Sequence, residues 1–184
     1  MNQSKISVRY AKALLLSAKD GGALQDVYSG MSTLFQLFSD HAELKEVFAN
    51  PVIKPSLKVQ IISEITAAMH PLVQSFSKLV VENDREQYFQ NICRDFISFY
   101  KAEMGIKTAQ LTTVAPLSAK NTESVRKLLA SHFNASIEFT NKFDESLIGG
   151  FIVQVDDMQI DTSIKAQLEN IRRNLTNDSY KSKL

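Results

Sequence analysis

DESLIGGFIVQVDDMQIDTSIKAQLENIRRNL, residues 144–175, carries the densest structural punctuation in the chain. Leu147 and Ile148 run into Gly149-Gly150, and an extended apolar run follows. Phe151, Val153 and Val155 fall on one face of that run, with Ile152 and Gln154 on the other, which is the period of a strand. Asp156-Asp157 reads as a turn and Met158–Ile160 as a short return strand. Asp161 stands where a helix N-cap belongs, ahead of Ile164, Leu168, Ile171 and Leu175 at helical spacing. Strand, turn, strand and helix without a catalytic group among them make a docking module.

Upstream of this stretch the pattern changes twice. Residues 106–115, IKTAQLTTVA, are rich in Thr and Val and poor in strong helix formers, so a strand is predicted there. Pro116 closes it, and Ser118 or Asn121 caps a helix bearing Val125, Leu128, Leu129 and Phe133. Ala135, Ile137 and Phe139 alternate with polar residues as a second strand. The order β-α-β-β-β-α follows for residues 106–184, with a mixed sheet because the first crossover contains a helix. The polar tail of this domain, from about Thr176 to Leu184, is expected to be loose.

The first 105 residues carry helical spacing instead. Ser4–Ala18 has two apolar stripes, one through Ile6, Tyr10, Leu14 and Ala18 and one through Val8, Ala11 and Leu15, and Gly21-Gly22 ends it. Leu24, Val27, Met31, Leu34 and Phe38 form a single stripe. Asp40 as N-cap and Glu43 as its capping-box partner open a third helix, which Asn50-Pro51 stops. Lys54-Pro55 starts a fourth, with Leu57, Ile61, Ile65 and Met69 as its inner face. His70-Pro71 begins a fifth, carrying Leu72, Phe76, Leu79 and Val80. A last helix from about Arg85 to Met104 presents Phe89, Ile92, Cys93, Phe96, Ile97 and Tyr100. The fold class is mainly α: a six-helix N-terminal bundle, then a small α/β domain.

Composition narrows the function. Lys plus Arg number 21 against 20 Asp plus Glu, so nothing favours general phosphate binding and no nucleic-acid partner is expected. The single cysteine, Cys93, excludes an internal disulfide and a multi-cysteine metal site. MNQSKISVRY lacks the apolar centre of a signal peptide, and no run reaches the about 18 apolar residues of a membrane span, so no membrane insertion is expected. Ser182-Lys183-Leu184 matches a peroxisomal address, a pattern short enough to arise by chance.

No catalytic constellation emerges. His41, His70 and His132 lie in different elements without ligand spacing. Gly149-Gly150 is not a GxGxxG cradle and precedes a strand, so a bend where another backbone approaches is its simpler reading. Asp156, Asp157 and Asp161 lack the EF-hand spacing, and turn residues plus an N-cap account for all three. No cofactor and no metal are expected. Lys165, Glu169 and Arg173 at i, i+4 spacing, with Arg172, suit either a solvated helix face or a partner contact.

Three stretches together resemble a known family. RYAKALL (Arg9–Leu15), Asn50-Pro51 before a lysine-rich helix start, and LIGGFIVQVDDMQIDTSIKAQLENIRRNL (Leu147–Leu175) are similar to the δ subunits of bacterial F-type ATP synthase, the family of the mitochondrial oligomycin-sensitivity-conferring protein. The resemblance implies a stator subunit, non-catalytic itself and present in single copy. It implies a peripheral place at the cytoplasmic face of the bacterial cell membrane, within the complex. Residues 1–105 would bind the F1 head, and residues 106–184 the b subunits of the peripheral stalk. It further implies a groove between the first and fifth helices for the N-terminal helix of an α subunit. Tyr10, Ala13, Leu14 and Ser17 would line one side, and Phe76, Leu79, Val80 and Asn83 the other. Gly149, Gly150 and Asp161 would be structural marks of the second domain. Two other readings stay open on the residues: a helical adaptor for an unrelated amphipathic helix, and a small hydrolase or transferase with a deep pocket.

Overall fold

In a computed structural model of the chain, the described residues are 3–115, 118–145, 147–155 and 158–181, with side chains described for all of these but 3, 4, 119, 120 and 174–181. The Asp156-Asp157 turn, Pro116 and the Ser182–Leu184 tripeptide lie outside them. Two compact units divide between Met104 and Gly105. The first holds α1 (Gln3–Asp20), α2 (Leu24–Asp40), α3 (Ala42–Ala49), α4 (Pro55–Thr66), α5 (Pro71–Glu82) and α6 (Phe89–Glu103). The second holds β1 (Ile106–Thr113), α7 (Ala119–Phe133), β2 (Ser136–Phe143), β3 (Phe151–Val155), β4 (Met158–Asp161) and α8 (Ile164–Lys181).

In the first unit α6 packs against α1 and α2, and α4 against α5. The core is aromatic where α2, α3 and α6 meet: Phe38 lies 5.5 Å from Phe48 and 5.2 Å from Phe89, ring centre to ring centre. Tyr28 stacks on Tyr100 at 4.0 Å, and the Tyr100 hydroxyl donates to Gln25 Oε1. A buried phenol needs such a partner to avoid the cost of desolvation. Ser7, fully buried on α1, donates to Asp95 Oδ2 at 2.5 Å and so ties α1 to α6. Cys93 is buried, and desolvation raises its thiol pKa far above the ordinary range, leaving an inert packing group.

Three local expectations are corrected. Asp40 is the last residue of α2, and His41 takes the N-cap position of α3 without a side-chain bond. The connection is a single residue long, too short for Asp40 to leave one helix and cap the next. The inner face of α4 is Lys58, Ile62 and Thr66, while Leu57 is half exposed. A rotation of one residue follows from Lys58, whose ammonium donates to Phe48 O at 2.9 Å and pairs with Glu86 at 2.7 Å. The stretch from Arg85 also begins differently, as a 3-10 turn over Glu86–Tyr88 that delivers Glu86 to Lys58 before α6 starts at Phe89.

The second unit has the order β-α-β-β-β-α, and its sheet runs β2-β1-β3-β4. β1 and β2 are parallel, joined by the α7 crossover, whereas β3 is antiparallel to both β1 and β4. The register sets Leu111 against Val153 and Ala109 against Val155. These four and Ile137 form the buried face, and α7 covers it with Leu129, Val125 and Phe133. Ser118 Oγ caps α7 by accepting from Asn121 N. Asn134, at φ 48°, ends it in the left-handed region that a short polar side chain tolerates. α8 continues to Lys181, past the residue where a polar tail was expected. Thr176 to Lys181 contains no Gly or Pro, so weak helix formers extend the hydrogen-bonded ladder already started.

Candidate functional site: an apolar groove between α1 and α5

One face of the first unit is left open. α1 and α5 stand apart there and enclose about 420 Å³, lined by Arg9, Tyr10, Ala13, Leu14 and Ser17 from α1 and by Leu72, Ser75, Phe76 and Leu79 from α5. Spacing explains the lining. On α1 the residues Tyr10, Ala13, Leu14 and Ser17 recur at intervals of three and four, as do Leu72, Phe76 and Leu79 on α5, so each set lies on one side of its helix. Ala13 is exposed and small, so α1 presents a shallow wall there. Tyr10 meets Phe76 edge-on, centroids 6.3 Å apart, and spans the two walls.

The rear of each wall is anchored in the bundle. Leu14 is 2% exposed and Phe76 9%, so both serve core and groove at once. Val73 on the far side of α5 faces Gly30 of α2, where a Cβ would lie 3.1 Å from Val73 Cγ2. That glycine lets α5 sit close against α2. The start of α5 is fixed by His70, whose Nδ1 accepts from Leu72 N at 3.2 Å, and by Gln74, whose amide donates to Ala67 O and Met69 O. Asn83 closes α5 from its C-cap position by donating Nδ2 to Leu79 O at 2.7 Å.

Of the eight residues assigned to a groove on the sequence, six line this one: Tyr10, Ala13, Leu14, Ser17, Phe76 and Leu79. Val80 and Asn83 do not. Val80 is fully buried in the bundle behind the wall, and Asn83 is occupied as the cap. Arg9, Leu72 and Ser75 join the lining unannounced. Leu72 carried a signal, since it begins the same three-and-four series as Phe76 and Leu79. Leu79 is 46% exposed, an apolar side chain held at the surface rather than in the core.

The C-terminal marks lie elsewhere and do structural work. Gly150 adopts φ +81°, and a Cβ there would stand 2.5 Å from Thr162 O and 2.9 Å from Ser163 Cα. Gly149 accepts from Ile164 N at 3.0 Å, and Thr162 N donates to Phe151 O at 3.0 Å. The pair is where the lead into β3 crosses the backbone that starts α8, and at Gly150 only glycine fits. Asp161 ends β4 rather than capping α8. Ser163, two residues on, is the cap, its Oγ accepting from Ala166 N at 3.2 Å. Asp161 Oδ1 accepts from Ser163 N at 2.8 Å. The Ser163 hydroxyl and then the Ser163 N–H hold the Asp161 carboxyl below the usual carboxylate range. Ile164, Leu168 and Ile171 on α8 are each about half exposed.

The arrangement offers shape and apolar surface rather than chemistry. Among the described residues, Arg9 and Tyr10 are the only titratable ones in the groove lining. Among the described residues no group of His, Cys, Asp and Glu could hold a metal ion, and no helix is long and apolar enough to cross a membrane. The three histidines are separate: His41 and His70 stand at helix starts, and His132 lies edge-on to Phe133.

A six-helix bundle with an open apolar groove, followed by a small mixed-sheet unit, defines the class of fold. The family described as ATP synthase delta (OSCP) subunit matches residues 6–175, and the chain belongs to that family. An ATP synthase subunit delta from Phocaeicola vulgatus is 31% identical over 170 residues, covering 91% of this chain and 92% of the relative. One from Cytophaga hutchinsonii is 29% identical over 177 residues, 96% of this chain and 97% of its own. The fold also matches a chain in the cryo-EM structure of the Toxoplasma gondii mitochondrial ATP synthase hexamer, with a TM-score of 0.70 at 21% identity, covering 92% of this chain and 97% of that one.

Proposed function

We propose that this chain is the stator link of an F-type ATP synthase, joining the catalytic F1 head to the peripheral stalk and performing no catalysis itself. In this reading the first unit grips the head, and the second receives the ends of the b subunits. One copy serves each complex, at the cytoplasmic face of the membrane, by association with the other subunits. The observation that carries the reading is the groove of about 420 Å³ between α1 and α5, whose walls are apolar apart from Arg9, Ser17 and Ser75. Its guest is the amphipathic N-terminal helix of an α subunit.

The mechanism is mechanical. A turning rotor drags the head, and the head stays still only if its tether resists sliding. A helix seated by several apolar anchors cannot slip one residue without lifting every anchor, since the groove repeats at helical spacing. Burial of about 400 Å² of apolar surface at about 25 cal/mol per Å² contributes around 10 kcal/mol before the cost of association.

Co-purification tests the division of labour. Tagged full-length protein should retain both the F1 head and the b subunits, and the Ala13→Trp variant should keep the b subunits and lose the head. Loss of the stalk with the head retained would reverse the assignment of the two units. Retention of neither by the unmodified chain would favour an adaptor for an unrelated helix.

A further inference from the structure

The groove is apolar along its length but not electrically neutral. Among the described residues Arg9 is the only charged one in its lining, and Arg9 is exposed. Lys5 stands four residues earlier on α1, one turn away on the same side, and is exposed as well. Lys5, Arg9, Ala13 and Ser17 thus follow one another at i, i+4 spacing, and the ridge that forms the α1 wall begins with two cations. Neither cation is in an ion pair among the described residues, although other charges on the surface of the first unit are matched: Lys19 with Glu103, Lys78 with Glu82 and Arg94 with Asp95. Among the described residues no carboxylate lines the groove.

We propose that Lys5 and Arg9 form a cationic gate at one end of the groove, which selects a guest helix with carboxylates beside its apolar stripe and seats that acidic end over the start of α1. This rests on the groove being a helix-binding site, and it adds which amphipathic helix is accepted and which way it lies. An apolar groove alone binds any helix of suitable stripe in either direction, because burial is non-directional. Charge at one end breaks that symmetry. A guest with carboxylates in its first turn is already favoured by its own helix dipole, so its N-terminal end lies over Lys5 and Arg9. A guest with lysines there meets like charge next to a surface that excludes water.

The test uses the full chain and two synthetic amphipathic peptides with the same leucine stripe. One carries two glutamates beside the stripe in its first two turns, and the other carries two lysines at those positions. Calorimetric titration at low salt should show the acidic peptide binding more tightly, by on the order of fivefold to tenfold for two partly exposed pairs. Arg9→Glu should erase or reverse that preference without altering the fold, since Arg9 is exposed, and added salt should shrink it. Equal affinity of the two peptides, or a preference unchanged in Arg9→Glu, overturns the gate while leaving the groove intact. Binding of neither peptide overturns the groove reading, and the gate with it.

Discussion

Ala13 and Gly150 are both small residues at places where two segments come near each other, and they are small for opposite reasons. At Ala13 the space beside the side chain is empty: α1 and α5 stand apart and leave about 420 Å³ open. At Gly150 the space is taken, since Thr162 O stands 2.5 Å from where a Cβ would be. A short side chain keeps room for a guest in the first case and lets the chain cross itself in the second. Enlarging the first should cost binding and leave stability alone. Enlarging the second should cost stability.

The largest effect is expected in neither place but in the ion pair that rotates α4. Lys58 and Glu86 side chains are 5% and 11% exposed, and Glu86 Oε2 has no hydrogen-bond partner. Lys58→Met leaves a buried carboxylate and should destabilise the first unit by about 3–5 kcal/mol, most of it recovered when Glu86→Leu is added. Hydrogen exchange resolved by unit would register the loss in residues 3–104 alone. Next comes Gly150→Ala, which combines a strained φ with a backbone clash and should cost about 3 kcal/mol in the second unit. Protection of peptides spanning 147–173 against exchange is the readout. Protection unchanged there would mean that the crossing is not held by lack of room.

Gly149→Ala sharpens the same contrast at smaller scale. Its Cβ would meet Ile164 Cδ1 at 2.8 Å, the tip of a side chain that can turn away, so about 1 kcal/mol is expected. A cost equal to that of Gly150→Ala would show that Ile164 is not free to rotate. The smallest change in stability belongs to Ala13→Trp, within about 0.5 kcal/mol on thermal unfolding, because Ala13 is exposed.

What the sequence revealed follows the same division between pattern and contact. The helices of the bundle and the β-α-β-β-β-α order were legible because apolar spacing reports which face is covered, and Gly, Pro and capping residues mark the ends. The α4 face was not legible. Lys58 reads as a solvent residue, and its partner Glu86 is held by a turn distant in sequence. The cap of α8 was misplaced because Asp161 and Ser163 are both good caps, and only the pairing of β4 with β3 through Asp161 decides between them. Val80 shared a stripe with Phe76 and could not be told from a groove residue until the bundle buried it. Arg9 carries no sequence signal of a groove residue, because a charge beside an apolar stripe looks like ordinary surface until α5 stands opposite.

The central claim is that the space beside Ala13 is kept for a helix. Calorimetric titration of the full chain with a synthetic peptide of the α-subunit N-terminus tests it most directly. Saturable one-to-one binding to the unmodified protein, lost by at least about a hundredfold in a folded Ala13→Trp variant, is the predicted result. The same affinity in both proteins would contradict it.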